Sequence, residues 1–290
     1  MRKVILRDNF FCLFLALIAS ICPIATKKIL MRPYISILLT SILFACSAQD
    51  KTDLEIESTE VEEATVPSIL DQYYTENVQD SLPTIVHGSV SNGSIENSSL
   101  LPFSGKNYRY FDTTSYLAGR GFSHRKVVGT LLATYADLET LLPERIFQVM
   151  ECSNKNGGKL FPHRTHQNGL SVDLMMPKIK SGLPDYTLDN QGGLHYLLEF
   201  DTEGKFVEDE SISLDFNTIA LHILTLEKQA KMHGLHIEKV IINTHLKDEL
   251  FASEYGKKLK NSGIYIVQNL SKVINDVHDD HFHVDFKLIK

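Results

Sequence analysis

Six residues able to bind a metal ion or move a proton fall into two clusters more than a hundred residues apart: His163, His166 and Asp173, then His278, His281 and His283. The first cluster runs Gly157-Gly158-Lys159-Leu160-Phe161-Pro162-His163-Arg164-Thr165-His166-Gln167-Asn168-Gly169-Leu170-Ser171-Val172-Asp173. The second, near the C-terminus, is His278-Asp279-Asp280-His281-Phe282-His283. Imidazole and carboxylate are the ligand types a catalytic zinc ion takes when one position stays open for water. The chemistry these residues suggest is metal-assisted hydrolysis.

Strands and a turn could bring the clusters together. In a strand over His281–Leu288, alternation puts His281, His283 and Asp285 on one face and Phe282, Val284 and Phe286 on the other. The apolar set packs on a core while both imidazoles point into a cleft, where only one need bind metal. Gly169 permits a sharp turn after His166, and a strand over Leu170–Met175 carries Ser171, Asp173 and Met175 on one face. If these strands are neighbours, His166, Asp173 and His283 converge and leave a fourth position open. Asp279, Asp280 and Asp285 are candidates to orient the ring nitrogens turned away from the ion, although Asp279 and Asp280 also suit a turn.

The rest of the pattern predicts the supporting elements. Val127, Val128, Leu131, Leu132, Tyr135 and Leu138 recur at a helical period over Arg125–Leu142, and Pro143 ends the helix. Arg145–Cys152 suggests a strand. A second helix starts at Asp215 or Asn217 as N-cap, carries Ile219, Ile223, Leu226 and Ala230, and closes at Gly234. Lys239–Asn243 and Ile264–Val267 read as strands and Leu246–Leu259 as a helix. A turn-rich segment begins near Ser81. Together these make one α+β domain, residues 81–290, of a common single-domain size.

Composition is that of a globular protein, and a net charge of -7 argues against a nucleic-acid partner. Part of that charge lies in Asp50–Glu63, an aromatic-free stretch within residues 47–80 that reads as an acidic flexible linker. Residues 1–46 read as a targeting region. Met31–Cys46 resembles a bacterial lipoprotein signal: a basic start, an apolar run from Ile35 to Phe44, then Ala45-Cys46. That resemblance implies lipidation of Cys46 and a periplasmic, membrane-anchored protein, with Ser47 favouring the outer membrane. Residues 1–30 read as an extension upstream of the true start at Met31, with a short membrane anchor as the alternative. Cys152 is then left unpaired and reads as a small buried hydrophobe.

The spacing His-x6-Asp followed by His-x-His resembles zinc peptidases that include D-Ala-D-Ala dipeptidases and hedgehog-like domains. Within that group the chain is most similar to the penicillin-insensitive murein endopeptidases. Gly88-Ser89-Val90-Ser91-Asn92-Gly93, Leu101-Pro102, Gly105-Lys106-Asn107-Tyr108, Val240-Ile241-Ile242-Asn243 and both histidine clusters carry the likeness, over about residues 82–290. The resemblance implies a small, mainly antiparallel sheet with flanking helices. It implies Zn2+ on His166, Asp173 and His283, His281 as the catalytic histidine, and His163 and His278 nearby or in the substrate cleft. The implied substrate is a D-alanyl-to-diaminopimelyl peptide cross-link of peptidoglycan, cut by way of a zinc-bound water. Better-known members carry an arginine where this chain has Asp285, so substrate preference is open.

Two alternatives, ranked above a metal-storage or metal-sensing lipoprotein, stand beside this reading. One is a D,D-carboxypeptidase or dipeptidase of the same fold, and the other a catalytically silent, zinc-containing cell-wall-binding lipoprotein. The isolated histidines His87, His124, His195, His222, His233, His236 and His245 read as ordinary core or surface residues.

Overall fold

Strand alternation near the C-terminus sets up the central sheet of this computed structural model, which describes residues 68–78 and 81–290. The lipoprotein signal with Cys46, the upstream extension and most of the acidic linker lie outside the described residues. The sheet comprises β1 (Tyr108–Tyr110), β2 (Phe147–Val149), β3 (Ser171–Met175), β4 (Leu235–Ile241) and β5 (His281–Leu288). Its order is β4-β5-β3-β2-β1. All neighbours are antiparallel except β1 and β2. The α+β class with a mainly antiparallel sheet is therefore the observed one.

Two 17-residue helices, α1 (Arg125–Leu141) and α2 (Phe216–Met232), cover the apolar face of this sheet. The periodic residues Val127, Leu131, Tyr135 and Leu138 of α1 and Ile219, Ile223, Leu226 and Ala230 of α2 are all buried. Aromatic rings tie the layers: Tyr135 lies 5.7 Å from Phe147, and His222 5.4 Å from Phe282. Asp215, rather than Asn217, caps α2, because its side chain accepts from the Thr218 backbone N–H at 3.0 Å. It also pairs with the buried Arg145.

Several elements differ from the sequence reading. The expected helix over Leu246–Leu259 is two short helices, Lys247–Ala252 and Glu254–Lys260, broken where the Ser253 hydroxyl leaves the helical path and caps the second. A side chain that hydrogen-bonds nearby backbone competes with helix continuation. The expected strand at Ile264–Val267 is reduced to a parallel bridge of Ile266 to Val240. The turn-rich N-terminal stretch is a hairpin of Ile85–Ser89 with Asn92–Glu96. Residues read as linker include a helix, Ile69–Asn77, opened by a Ser68–Asp71 capping box. A second sheet of four short strands, Lys178–Lys180, Leu183–Asp185, Lys205–Phe206 and Asp209–Leu214, adds a layer that no sequence signal marked.

His222 of α2 is a core residue of an unusual kind. It is fully buried, its ring 4.9 Å from Phe147, and among the described residues neither nitrogen has a hydrogen-bond partner. Burial lowers its pKa to about 3. Below the unfolded-state value of 6.5 the unfolded chain takes up a proton that the fold excludes. Stability is thus intact above pH 6.5 and falls by about 1.4 kcal/mol per pH unit as pH drops toward the folded value. His222→Phe is expected to be more stable by about 1 kcal/mol at pH 7, since no ring nitrogen is left unpaired. Its advantage widens at pH 5. Urea midpoints of both proteins at the two pH values check this, and an equal gap at both would refute it.

Candidate metal centre

Pairing of β5 with β3 places Asp173 directly opposite His283, and His281 opposite Met175. The turn before β3 delivers the other imidazole. His166 adopts a left-handed backbone with φ of 66°, and Gly169 follows at 75°. A side chain at Gly169 would collide with Ile95 and the His124 backbone, so the turn needs glycine there. The expected convergence is realised. His166 Nε2 lies 3.1 Å from His283 Nδ1 and 3.2 Å from Asp173 Oδ1, and the last two atoms are 2.8 Å apart.

Hydrogen-bond partners behind the rings decide what these three atoms can do. The Cys152 carbonyl can only accept, so His166 Nδ1 carries its proton and Nε2 is a bare lone pair. The Asp285 carboxylate accepts from His283 Nε2 at 2.7 Å, which leaves Nδ1 of a neutral ring bare. Two imidazole lone pairs and a carboxylate oxygen thus face one another in a site almost wholly shielded from water. Such a set could hold a cation at its centre, and the pull toward positive charge is visible at His283. Burial works against its charged form, yet Asp285 and Asp173 raise its pKa to about 10. Burial lowers the pKa of His166, against the pull of Asp173. Asp173 is held well below the usual carboxylate range despite burial, chiefly by His166 and His283.

Asp285 is therefore the carboxylate behind His283. It also accepts from Ser171 Oγ at 2.6 Å and pairs with Lys239 at 3.0 Å. Of the three candidate carboxylates, Asp285 backs His283 and Asp280 backs His281, while Asp279 instead binds Asn243. Asp285→Asn keeps an acceptor for His283 but removes the charge. It is expected to weaken metal binding about tenfold, measured by competition with a fluorescent chelator. Unchanged affinity would show that the carboxylate is dispensable.

The other site histidines surround the triangle. His281 donates from Nδ1 to Asp280 at 2.9 Å; burial opposes its charge, but Asp280 raises its pKa overall. His278 donates from Nδ1 to the Ile274 carbonyl at 2.6 Å, and its ring lies 4.9 Å from that of His281, tilted by 31°. Burial, with His281 beside it, lowers its pKa to about 3. His163 is held between the Glu151 carboxylate at Nε2 and Asp173 Oδ2, 3.3 Å from Nδ1. His163, His166 and Asp173 form a group that could bind a metal ion, their ligand atoms within 4.8 Å of one another.

Sequence reasoning passed over several members of this site. Glu151 is buried beneath His163 and also binds Arg120 and Ser115. Tyr196 packs its ring 5.1 Å from His281 and 5.9 Å from His163. His195, set aside as an isolated histidine, is fully buried and reaches Asp280 at 2.7 Å. No local spacing could have found a contact across 85 residues. Cys152 is the buried, unpaired residue expected, with its thiol pushed up by burial.

A mixed α+β domain whose strands gather histidines around a buried aspartate, in a group that could hold a metal ion, defines the class of site. The chain belongs to the penicillin-insensitive murein endopeptidase family, whose model matches residues 86–288. No curated protein matches it.

Proposed function

We propose that this protein is a zinc-dependent endopeptidase that hydrolyses D-alanyl-to-diaminopimelyl cross-links in peptidoglycan. The observation that carries the proposal is the triangle of His166 Nε2, Asp173 Oδ1 and His283 Nδ1, with edges of 3.1, 3.2 and 2.8 Å. Tetrahedral zinc with bonds of 2.0–2.1 Å holds its ligand atoms about 3.3 Å apart, close to these edges. Of the two triads that share His166 and Asp173, the one with His283 is the better ligand set. His283 faces the same carboxylate oxygen as His166, whereas His163 faces the opposite oxygen and is also engaged by Glu151.

When bound, the ion supplies Lewis acidity, which makes hydroxide available near neutral pH and polarises the scissile carbonyl. The protein groups do the rest. Cys152 and Asp285 fix the two ligand rings so that their lone pairs point inward. Asp280 holds the Nδ1–H of His281, leaving Nε2 to hold or pass a proton to the reacting amide. His163 and His278 line the site beside it. The reading places the enzyme outside the cytoplasm, anchored through a lipid on Cys46.

Digestion of purified muropeptides, read by mass spectrometry with and without chelator, tests the proposal. Chelator-sensitive conversion of cross-linked dimers to monomers is expected. Release of terminal D-alanine alone would point to a carboxypeptidase. No cleavage by a folded, zinc-loaded protein would leave the silent wall-binding reading.

A further inference from the structure

Resting on that reading of His281, we propose that Lys178 and His195 are positioning residues which act through Asp280 to lock the His281 imidazole for proton transfer. The chain of contacts is continuous. Lys178 Nζ lies 3.0 Å from Asp189 Oδ1 and 2.9 Å from His195 Nε2. His195 Nδ1 lies 2.7 Å from Asp280 Oδ2, and Asp280 Oδ1 lies 2.9 Å from His281 Nδ1. All five residues are buried: Lys178 is 1 % exposed, His195 0 % and Asp280 1 %.

The donor inventory gives every link one direction. An ammonium only donates, so His195 Nε2 must accept from Lys178 and the ring proton sits on Nδ1. That proton goes to Asp280 Oδ2. Asp280, an ionised carboxylate, then accepts from His281 at its other oxygen. Burial, with Lys178 beside it, lowers the His195 pKa to about 4, so the ring stays neutral and its tautomer holds. The proton of His281 is thereby pinned to Nδ1, and Nε2 is the nitrogen free to work.

A purely structural ion pair would account for Lys178 and Asp189 alone. It gives no reason for a fully buried histidine that links the pair to Asp280. The elements involved come from separate parts of the fold. Lys178 opens a strand of the second sheet, His195 lies in the 3-10 segment Gly192–Leu197, and Asp280 directly precedes β5. Arg145 holds the Lys178 carbonyl at 2.7 Å, which fixes the start of the relay to the main core. A buried ammonium is tolerated only where partners satisfy it, so the relay is rigid by necessity. Tyr196, next to His195, lays its ring edge-on against His281 at an interplanar angle of 85° and closes the other side.

Two measurements on the full chain test the inference. With 15N-labelled histidine, NMR is expected to show His195 and His281 protonated at Nδ1, and Lys178→Met to shift the His195 Nε2 signal, whose donor is gone, while Asp280 keeps the proton on Nδ1. A wild-type His195 carrying its proton on Nε2 would overturn the relay. In muropeptide kinetics, His195→Leu is expected to lower kcat about 10–100-fold with KM and bound zinc unchanged, and His195→Gln, which keeps a donor and an acceptor, to recover most of it. Wild-type kcat in His195→Leu also overturns the relay. Should that variant not fold, Lys178→Met carries the kinetic comparison. A wild-type protein that cuts no muropeptide overturns the peptidase reading, and the NMR tautomers still decide the relay.

Discussion

The His281→Gln variant is expected to keep its metal and its fold yet hydrolyse cross-linked muropeptides about 10²–10⁴-fold more slowly, the usual contribution of one positioned acid–base group. Geometry makes the separation clean. His281 opens β5, the strand that carries His283, but is absent from the 2.8–3.2 Å triangle, and its Nδ1 is committed to Asp280. Glutamine can still donate to Asp280, so the buried carboxylate is not left unpaired. What is lost is the imidazole nitrogen that can hold or pass a proton. Parallel measurement of zinc content and kcat decides the matter. Full zinc with unaltered kcat would remove His281 from the chemistry and favour a different proton carrier, for which His278, its ring 4.9 Å away, is a candidate.

Asp173→Asn is expected to abolish both metal binding and hydrolysis. Asp173 supplies the only anionic atom of the proposed ligand triangle, and its carboxylate offsets the histidines that surround it. An amide in its place has no charge to offer a divalent cation. The effect is readable without any assay of activity. Zinc at a thousand times its dissociation constant stabilises a binding protein by about 4 kcal/mol, so the wild-type melting temperature rises on titration. That of Asp173→Asn is expected to stay where it is in chelator. A zinc-dependent rise in the variant equal to that of the wild type would place the ion elsewhere and dismiss the triangle.

These two substitutions divide the site into its parts. Asp173→Asn tests the proposed ion together with everything that depends on it, and His281→Gln tests the proposed proton carrier with that ion in place. A silent wall-binding protein with structural zinc would lose stability in the first and nothing measurable in the second.

Much of this site was legible in the linear sequence, for a definite reason. Strand periodicity is local, so the His281-x-His283 spacing with Phe282, Val284 and Phe286 between and beyond already specified a strand with one polar and one apolar face, and His281–Leu288 is that strand. The helix over Arg125–Leu141 and a cap at Asp215 or Asn217 were legible on the same ground, since caps and 3.6-residue periods act within a few residues, and the structure selects Asp215. Local rules also failed locally. The stretch after Leu246 has helical composition throughout, but the Ser253 hydroxyl competes for backbone and splits it.

What the sequence by itself determined is the inventory and its immediate placement: which residues could bind a cation, which strands carry them, and the turn glycine between His166 and Asp173. Only the tertiary structure decided the pairing of β3 with β5, which sets Asp173 opposite His283. It alone chose Asp285 behind His283, Asp280 behind His281 and Glu151 behind His163. It also turned His195 and Lys178, residues with no neighbours in sequence to recommend them, into the far end of a buried relay. The physical reason is the same throughout. Periodicity and turn chemistry are short-ranged, whereas a buried charge or lone pair is satisfied by whatever partner the packed fold brings within 3 Å, at any distance along the chain.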